Sequence, residues 1–379
     1  MSDPIYLDYN ATTPVAPEVA EAMLPFLGAQ FGNPSSSHVW GEFAKTAVND
    51  ARQQVAALIG ALPEEIVFTG SATEANNLAL LGVAAASGEG KRHLVVSAIE
   101  HPAVMQPALH LRQLGWAVSV VPVDGYGRVA PEAVAAALRS DTALVSIMHS
   151  NNEVGTIQPV AQIAALTRPR NILLHADAAQ SAGKIAVDVE ALGVDLLTLA
   201  GHKFYAPKGI GALYVRAGTP IRAITFGADQ ERGLRPGTEN VPTMVGLGVA
   251  ARLARERLSE VTVKLRRLRD RLHARLAEAV PDLALNGHPE ERLPNTLHVS
   301  FPGVTGRMLL YAASAEVAAS LGSACHSEHD AISGVLGAMG IDAARAAGAV
   351  RLSVGVTTSE EDIDRVAAAL IGVWQQRTA

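Results

Sequence analysis

The chain of 379 residues has a single cysteine, Cys325. One thiol cannot close an intrachain disulfide, so a disulfide scaffold is excluded, as is a cysteine-rich zinc fold. Positive charge is not in excess: 31 lysines and arginines stand against 37 aspartates and glutamates, a net charge of −6. That balance gives no electrostatic footprint for nucleic acid or for an anionic membrane. Long hydrophobic runs are missing too. The longest, around residues 78–86, falls far short of the ~20 apolar residues that span a bilayer. The first ten residues carry Asp3 and Asp8 and no basic stretch before an apolar core, so no signal peptide is read there and a cytoplasmic location is expected. Internal repeats and low-complexity tracts are absent. What is abundant is core material: 49% of residues are hydrophobic and 18% charged, which excludes disorder for most of the chain.

The apolar pattern alternates between two periods. Short aliphatic runs at 66–68, 94–99, 117–123, 142–148, 172–175, 195–199 and 211–215 read as strands. Segments 102–114, 131–138 and 160–166 between them have helical spacing, two of them with proline at the start. Continuous apolar strands alternating with helices predict an α/β fold with a mostly parallel central sheet covered on both faces. From Pro242 the texture changes. Residues 243–280 read as one long helix or two in tandem, with Leu265, Leu268, Leu272 and Leu276 as its apolar stripe and Lys264, Arg266, Arg267, Arg269 and Arg271 on a solvated face. Strands at 297–301 and 350–354 and a helix at 359–374 complete a smaller α+β unit. The expected division is a large domain at 13–258 and a small one formed by 1–12 and 259–379.

In parallel sheets ligands sit beyond the carboxyl ends of the strands, and four segments there are unusually polar. Residues 69–77 combine Gly70, Ser71, Thr73 and Glu74 at the start of a helix. This could suit an anion, but taken alone the segment reads first as an ordinary N-cap by Ser71 or Thr73. Residues 149–153 and 175–180 follow buried runs, and the second contains Asp177. A carboxylate at the end of an apolar strand needs a partner, either a protonated ring nitrogen or the N–H groups of the next helix. Residues 200–211 contain Lys203, placed where a desolvated amine can form a Schiff base. Phosphate cradle, ring-nitrogen carboxylate and Schiff-base lysine together are the equipment of a pyridoxal 5'-phosphate site.

The motifs carrying these residues resemble the cysteine desulfurase family, fold-type I enzymes of the class V aminotransferase group. They include Tyr6-Leu7-Asp8-Tyr9-Asn10-Ala11-Thr12-Thr13-Pro14, Ser71-Ala72-Thr73-Glu74, Glu100-His101, Asn151-Asn152-Glu153-Val154-Gly155, Asp177-Ala178-Ala179-Gln180-Ser181, Gly201-His202-Lys203, Arg235-Pro236-Gly237-Thr238-Glu239-Asn240 and Ser323-Ala324-Cys325. The resemblance implies that Lys203 carries the cofactor, His101 stacks on its ring and Asp177 pairs with the ring nitrogen. It implies Asn152 and Gln180 at the phenolate oxygen, and Thr73 and His202 at the phosphate, joined by Thr238 from the second subunit of a homodimer. Arg351 clamps the substrate carboxylate with Asn33 beside it. On this reading L-cysteine becomes L-alanine while Cys325 takes its sulfur as a persulfide, which then passes to an acceptor protein or a small thiol. No metal is called for; a site of Cys325, His326 and His329 would lack a fourth ligand. Some features resemble selenocysteine lyases instead, with L-selenocysteine as substrate: Phe204-Tyr205 after the lysine and the His326-Ser327-Glu328-His329 context of the cysteine. Ala200, where the family often has a hydroxyl residue, removes one phosphate contact. A non-catalytic scaffold would be expected to have lost Lys203, Asp177 or Cys325, and all three are present.

Overall fold

The computed structural model describes residues 3–322 and 333–378. Seven short runs form the main sheet: β1 (Ile66–Thr69), β2 (His93–Ser97), β3 (Ala117–Val121), β4 (Thr142–Ser146), β5 (Leu173–Asp177), β6 (Leu196–Ala200) and β7 (Gly211–Val215). They lie in the order β1-β7-β6-β5-β4-β2-β3. Only β7 runs antiparallel to its neighbours. Register is set by the two-residue period of the strand. Ile66 and Phe68 enter one core and Val67 the other; Leu197 and Leu199 likewise oppose Leu196.

Helices cover both faces. α1 (Pro17–Leu27) and α2 (Val39–Leu58) pack with α6 (Val160–Thr167) on one side, and α3 (Ala72–Ala86) with α4 (Pro102–Gln113) on the other. The helix α5 (Pro131–Ala137) links β3 to β4. The apolar stripe read over 243–280 belongs to one continuous helix, α7 (Val241–Ala279). Its first half, through Met244, Leu247 and Ala251, closes the core under α2. Its second half, through Leu265, Leu268, Leu272 and Leu276, enters a separate core. There it meets β8 (Ala284–Leu285), β9 (Thr296–Ser300), β10 (Ala349–Ser353) and α8 (Glu360–Thr378). These three strands form an antiparallel sheet. The cationic face of α7 is paired rather than bare: Arg271 and Arg275 reach Asp364, and Arg267 reaches Glu360, all on α8. Among the described residues no helix is long and apolar enough to cross a membrane.

Candidate active site

The carboxyl ends of β1, β2, β4, β5 and β6 open onto one cavity of about 390 Å³, within the usual range for small-molecule sites. Thr73, His101, Asn152, Asp177, Gln180, His202, Lys203 and Arg351 all line it. Asn33 and Thr238 do not. Both are exposed, and the Asn33 side chain accepts a hydrogen bond from the backbone of Ser35. Cys325, with His326 and His329, lies outside the described residues.

At one end, Ser71 caps α3: its Oγ accepts from the N–H of Glu74. That settles which hydroxyl does the capping and leaves Thr73, the second residue of the helix, on the cavity wall. Glu74 is held by the N–H of Gly70 and by Arg235. The turn fits against β7 because residue 211 is glycine: a Cβ there would lie 2.7 Å from the Ser71 carbonyl carbon. The start of α3 therefore offers backbone N–H groups to an anion. His202 faces the same cavity. Burial and the nearby lysines push its pKa down to about 4, so the ring is neutral.

In the middle stand the two groups that define the chemistry. Asp177 ends β5, almost buried at 6% exposure. Its carboxylate accepts from Asn76 Nδ2 at 2.7 Å and from the N–H of Ala179 at 2.9 Å. Both donors are neutral, and among the described residues no side chain forms an ion pair with it; Lys203 interacts with it only at longer range. A buried carboxylate left in this state calls for a positively charged N–H donor in the cavity. Lys203 lies in a short turn after β6. Its Nζ donates to the carbonyls of Asn10 at 2.5 Å and Ala11 at 2.7 Å. Burial, and then Arg351, lower its pKa to about 8, against the opposing pull of Asp8 and Asp177. The turn is pinned by Tyr205, whose backbone is left-handed at φ 71°. Such a conformation persists in a bulky residue only when its surroundings hold it. Here Tyr205 N–H donates to Thr13 and its hydroxyl accepts from Val356 N–H. His101 caps α4 through Nδ1 accepting from Ala103 N–H, which fixes the imidazole at the cavity wall. Its pKa is lowered by burial, so it too presents a neutral ring.

At the other end, Arg351 does not point to solvent. It projects from β10, 3% exposed, and donates to Asp8 Oδ1 at 2.8 Å and to the carbonyls of Asn152 and Gly322 at 2.9 Å. Its Nε is buried without a partner among the described residues.

Several members of the site were not singled out from the sequence. Asn10, 1% exposed, gathers the cavity floor: its side chain meets Thr296, Asn295 and the carbonyl of Asn152, and its own carbonyl takes Lys203 and Gln180. Glu100 accepts from Ser97 and from Met148 N–H, and burial pushes its pKa up to about 8, leaving it protonated at neutral pH. Lys184 is buried against Gln180. Each stood inside or beside a quoted motif, but no local pattern distinguishes such residues from ordinary loop polar groups.

These residues fit pyridoxal 5'-phosphate: a buried carboxylate without a direct ion-pair partner for a protonated ring nitrogen, a low-pKa lysine, two neutral imidazoles and a helix start for the phosphate. Known proteins agree. The class-V aminotransferase family model matches residues 5–366. A cysteine desulfurase IscS of Dictyoglomus turgidum is 44% identical over 96% of this chain and 93% of its own length. A cysteine desulfurase of Sinorhizobium fredii is 46% identical over 96% and 94%. Among solved structures, one titled NifS-like protein superposes with a TM-score of 0.91 at 39% identity over 99% of both chains. Another, titled SspA in complex with cysteine, gives 0.82 at 37% identity over 92% of this chain and 98% of that one. The names of these relatives count against the selenocysteine lyase alternative. The chain belongs to the class-V aminotransferases and, within them, to the pyridoxal 5'-phosphate-dependent cysteine desulfurases.

Proposed function

We propose that this chain converts L-cysteine to L-alanine and carries the released sulfur as a persulfide on Cys325. The observation that carries the reading is the placement of Lys203, His101 and the Asp177 carboxylate, which forms no ion pair among the described residues, around one cavity. Bound there, pyridoxal 5'-phosphate supplies an electron sink for negative charge developing at the substrate Cα. Lys203 would hold the cofactor, with Asp177 at the ring nitrogen, His101 on the ring face, Asn152 and Gln180 at the phenolate oxygen, and Thr73 and His202 at the phosphate. Arg351 would orient the substrate carboxylate, exchanging its contact with Asp8 for one with the substrate. The amine of Lys203, neutral from about pH 8 instead of its ordinary 10.5, takes the Cα proton and returns it. The Cys325 thiolate attacks the substrate sulfur. The S–S bond forms as the C–S bond breaks, and the carbon keeps the electron pair and gains a proton. With no second cysteine in the chain, the sulfur leaves to an acceptor protein or a small thiol.

A homodimer completes this reading. Leu27, Phe31, Val39, Trp40 and Phe43 form an exposed apolar surface at α1 and α2, with Phe31 stacked on Trp40. Contiguous apolar surface of this kind marks association, and the exposed Thr238 is available to a second copy. The two separate hydrophobic cores support a division into 13–258 and 1–12 with 259–379. A cytoplasmic location is part of the same proposal.

The test is alanine release from L-cysteine by the cofactor-loaded protein, with Lys203→Ala and Cys325→Ser alongside. The proposal expects both variants to be inactive toward L-cysteine. Undiminished alanine release from L-cysteine by Cys325→Ser would overturn it.

A further inference from the structure

Lys184 is a buried lysine without an assigned task, its pKa lowered by burial to about 7. It follows Gln180 by one helical turn's spacing, at 5% exposure. Its Nζ donates to the Gln180 carbonyl and to Gln180 Oε1, both at 3.0 Å. Its own carbonyl accepts from Thr262 of α7, which holds the backbone in place. The charges acting on it are those of Lys203 and Arg351, both positive, and burial costs more than either. A lysine buried at that cost for a single side-chain contact calls for an explanation.

The explanation lies in donor and acceptor chemistry. A primary amide has one acceptor end and one donor end of nearly equal shape, and only its partners choose between the two orientations. An ammonium has donors and no acceptor. While Lys184 is protonated, the amide atom facing it must therefore be Oε1, and the NH₂ must face the other way. There Nε2 donates to the Asn10 carbonyl at 2.9 Å, the same carbonyl that takes Lys203. One Nε2 hydrogen is used by Asn10 and the second is left for a ligand in the cavity that Gln180 lines.

We propose that Lys184 is a positioning residue: as an ammonium it locks the Gln180 amide so that an N–H, not the carbonyl oxygen, faces the cofactor's ring oxygen. This rests on the reading that Gln180 reaches that oxygen. A donor there favours the anionic oxygen; a flipped amide would set two acceptors against each other.

The experiment follows the absorption spectrum of the substrate-free, cofactor-loaded protein against pH for wild type, Gln180→Ala, Lys184→Met and the double variant, each first shown to melt cooperatively. Loss of the oriented donor disfavours the anionic oxygen, so Gln180→Ala and Lys184→Met each move the spectral midpoint up by about one pH unit, equivalent to about 1.4 kcal/mol. Because Lys184 acts through Gln180, the double variant moves it no further than Gln180→Ala alone. Lys184→Gln is the second variant should Lys184→Met fail to fold. Its amide can offer either end, cannot enforce an orientation, and is expected to shift the midpoint likewise. A midpoint moved by Gln180→Ala but not by either Lys184 variant overturns the inference alone, as does full additivity, which would make Lys184 a direct charge effect. A midpoint unmoved by Gln180→Ala overturns the assignment of Gln180 as well.

Discussion

The substitution Asp177→Asn removes one negative charge and very little else. The oxygen of the new amide can still accept from the N–H of Ala179, as the carboxylate does at 2.9 Å. The new NH₂ then faces Asn76, whose own Nδ2 had donated to Asp177 at 2.7 Å. Two donors would clash, but Asn76 Oδ1 has no partner among the described residues. Asn76 can therefore rotate its amide and accept the new donor, exchanging one unpaired polar atom for another. The fold should lose less than about 1 kcal/mol, or no more than roughly 2–4 °C in melting temperature. The site loses its counter-charge. Breaking a buried charge pair by removing one partner costs about 3–5 kcal/mol, which corresponds to a fall in kcat/KM of roughly 150- to 5,000-fold. A second readout follows from Lys203, whose pKa Asp177 holds up: without that charge, covalent trapping of the cofactor by borohydride should extend to lower pH. The assays are steady-state alanine release and thermal melting of the same preparations. A kcat/KM within tenfold of wild type refutes the assignment of Asp177, and so does a collapse of stability that accounts for the lost activity.

Glu100→Gln tests the buried acid. Its folded pKa, raised from 4.5 to about 8, means the folded state binds more protons than the unfolded one between those values. That contribution is full below pH 4.5 and is lost as pH rises to 8, at a slope approaching about 1.4 kcal/mol per pH unit. Glutamine lacks this loss and keeps the acceptor for Ser97 and Met148, so the stability difference should grow in the variant's favour from pH 5 to 8; a constant difference in denaturant titrations contradicts the buried-acid reading. Arg351→Lys loses the planar fork that serves Asp8, Asn152 and Gly322 together. KM for L-cysteine should rise about 10- to 150-fold, from the ~1.5–3 kcal/mol of a charged hydrogen bond, with kcat changing less; an unchanged KM removes Arg351 from substrate binding. Trp40→Asp, on the exposed apolar surface, should yield monomers by light scattering, and a wild-type oligomer in that variant would place the interface elsewhere.

Much of this architecture is written in local pattern. β1, β2, β4, β5 and β6 end within two residues of their sequence-read positions, because strands buried on both faces are near-continuous apolar runs. Lys203 and Asp177 were legible because each follows such a run, and topology sends all those ends to one edge. The partners of these residues were not legible. Asp8 reaches Arg351 across 343 residues and Asn10 reaches Thr296 across 286; no window of sequence brings them together. Nothing local marks Arg351 as buried, because what buries it comes from the first residues of the chain and from the loop after β4. Ser71 and Thr73 were equivalent as caps on paper, and only the built turn separates them. The long helix read as one piece or two because its apolar stripe serves two different cores.

The most direct test of the central claim is mass spectrometry of the cofactor-loaded protein after a single turnover of L-cysteine with no sulfur acceptor present. The account predicts one added sulfur atom on the peptide containing Cys325, in proportion to the alanine released and removable by a thiol. Alanine formed in full with Cys325 unmodified would contradict it.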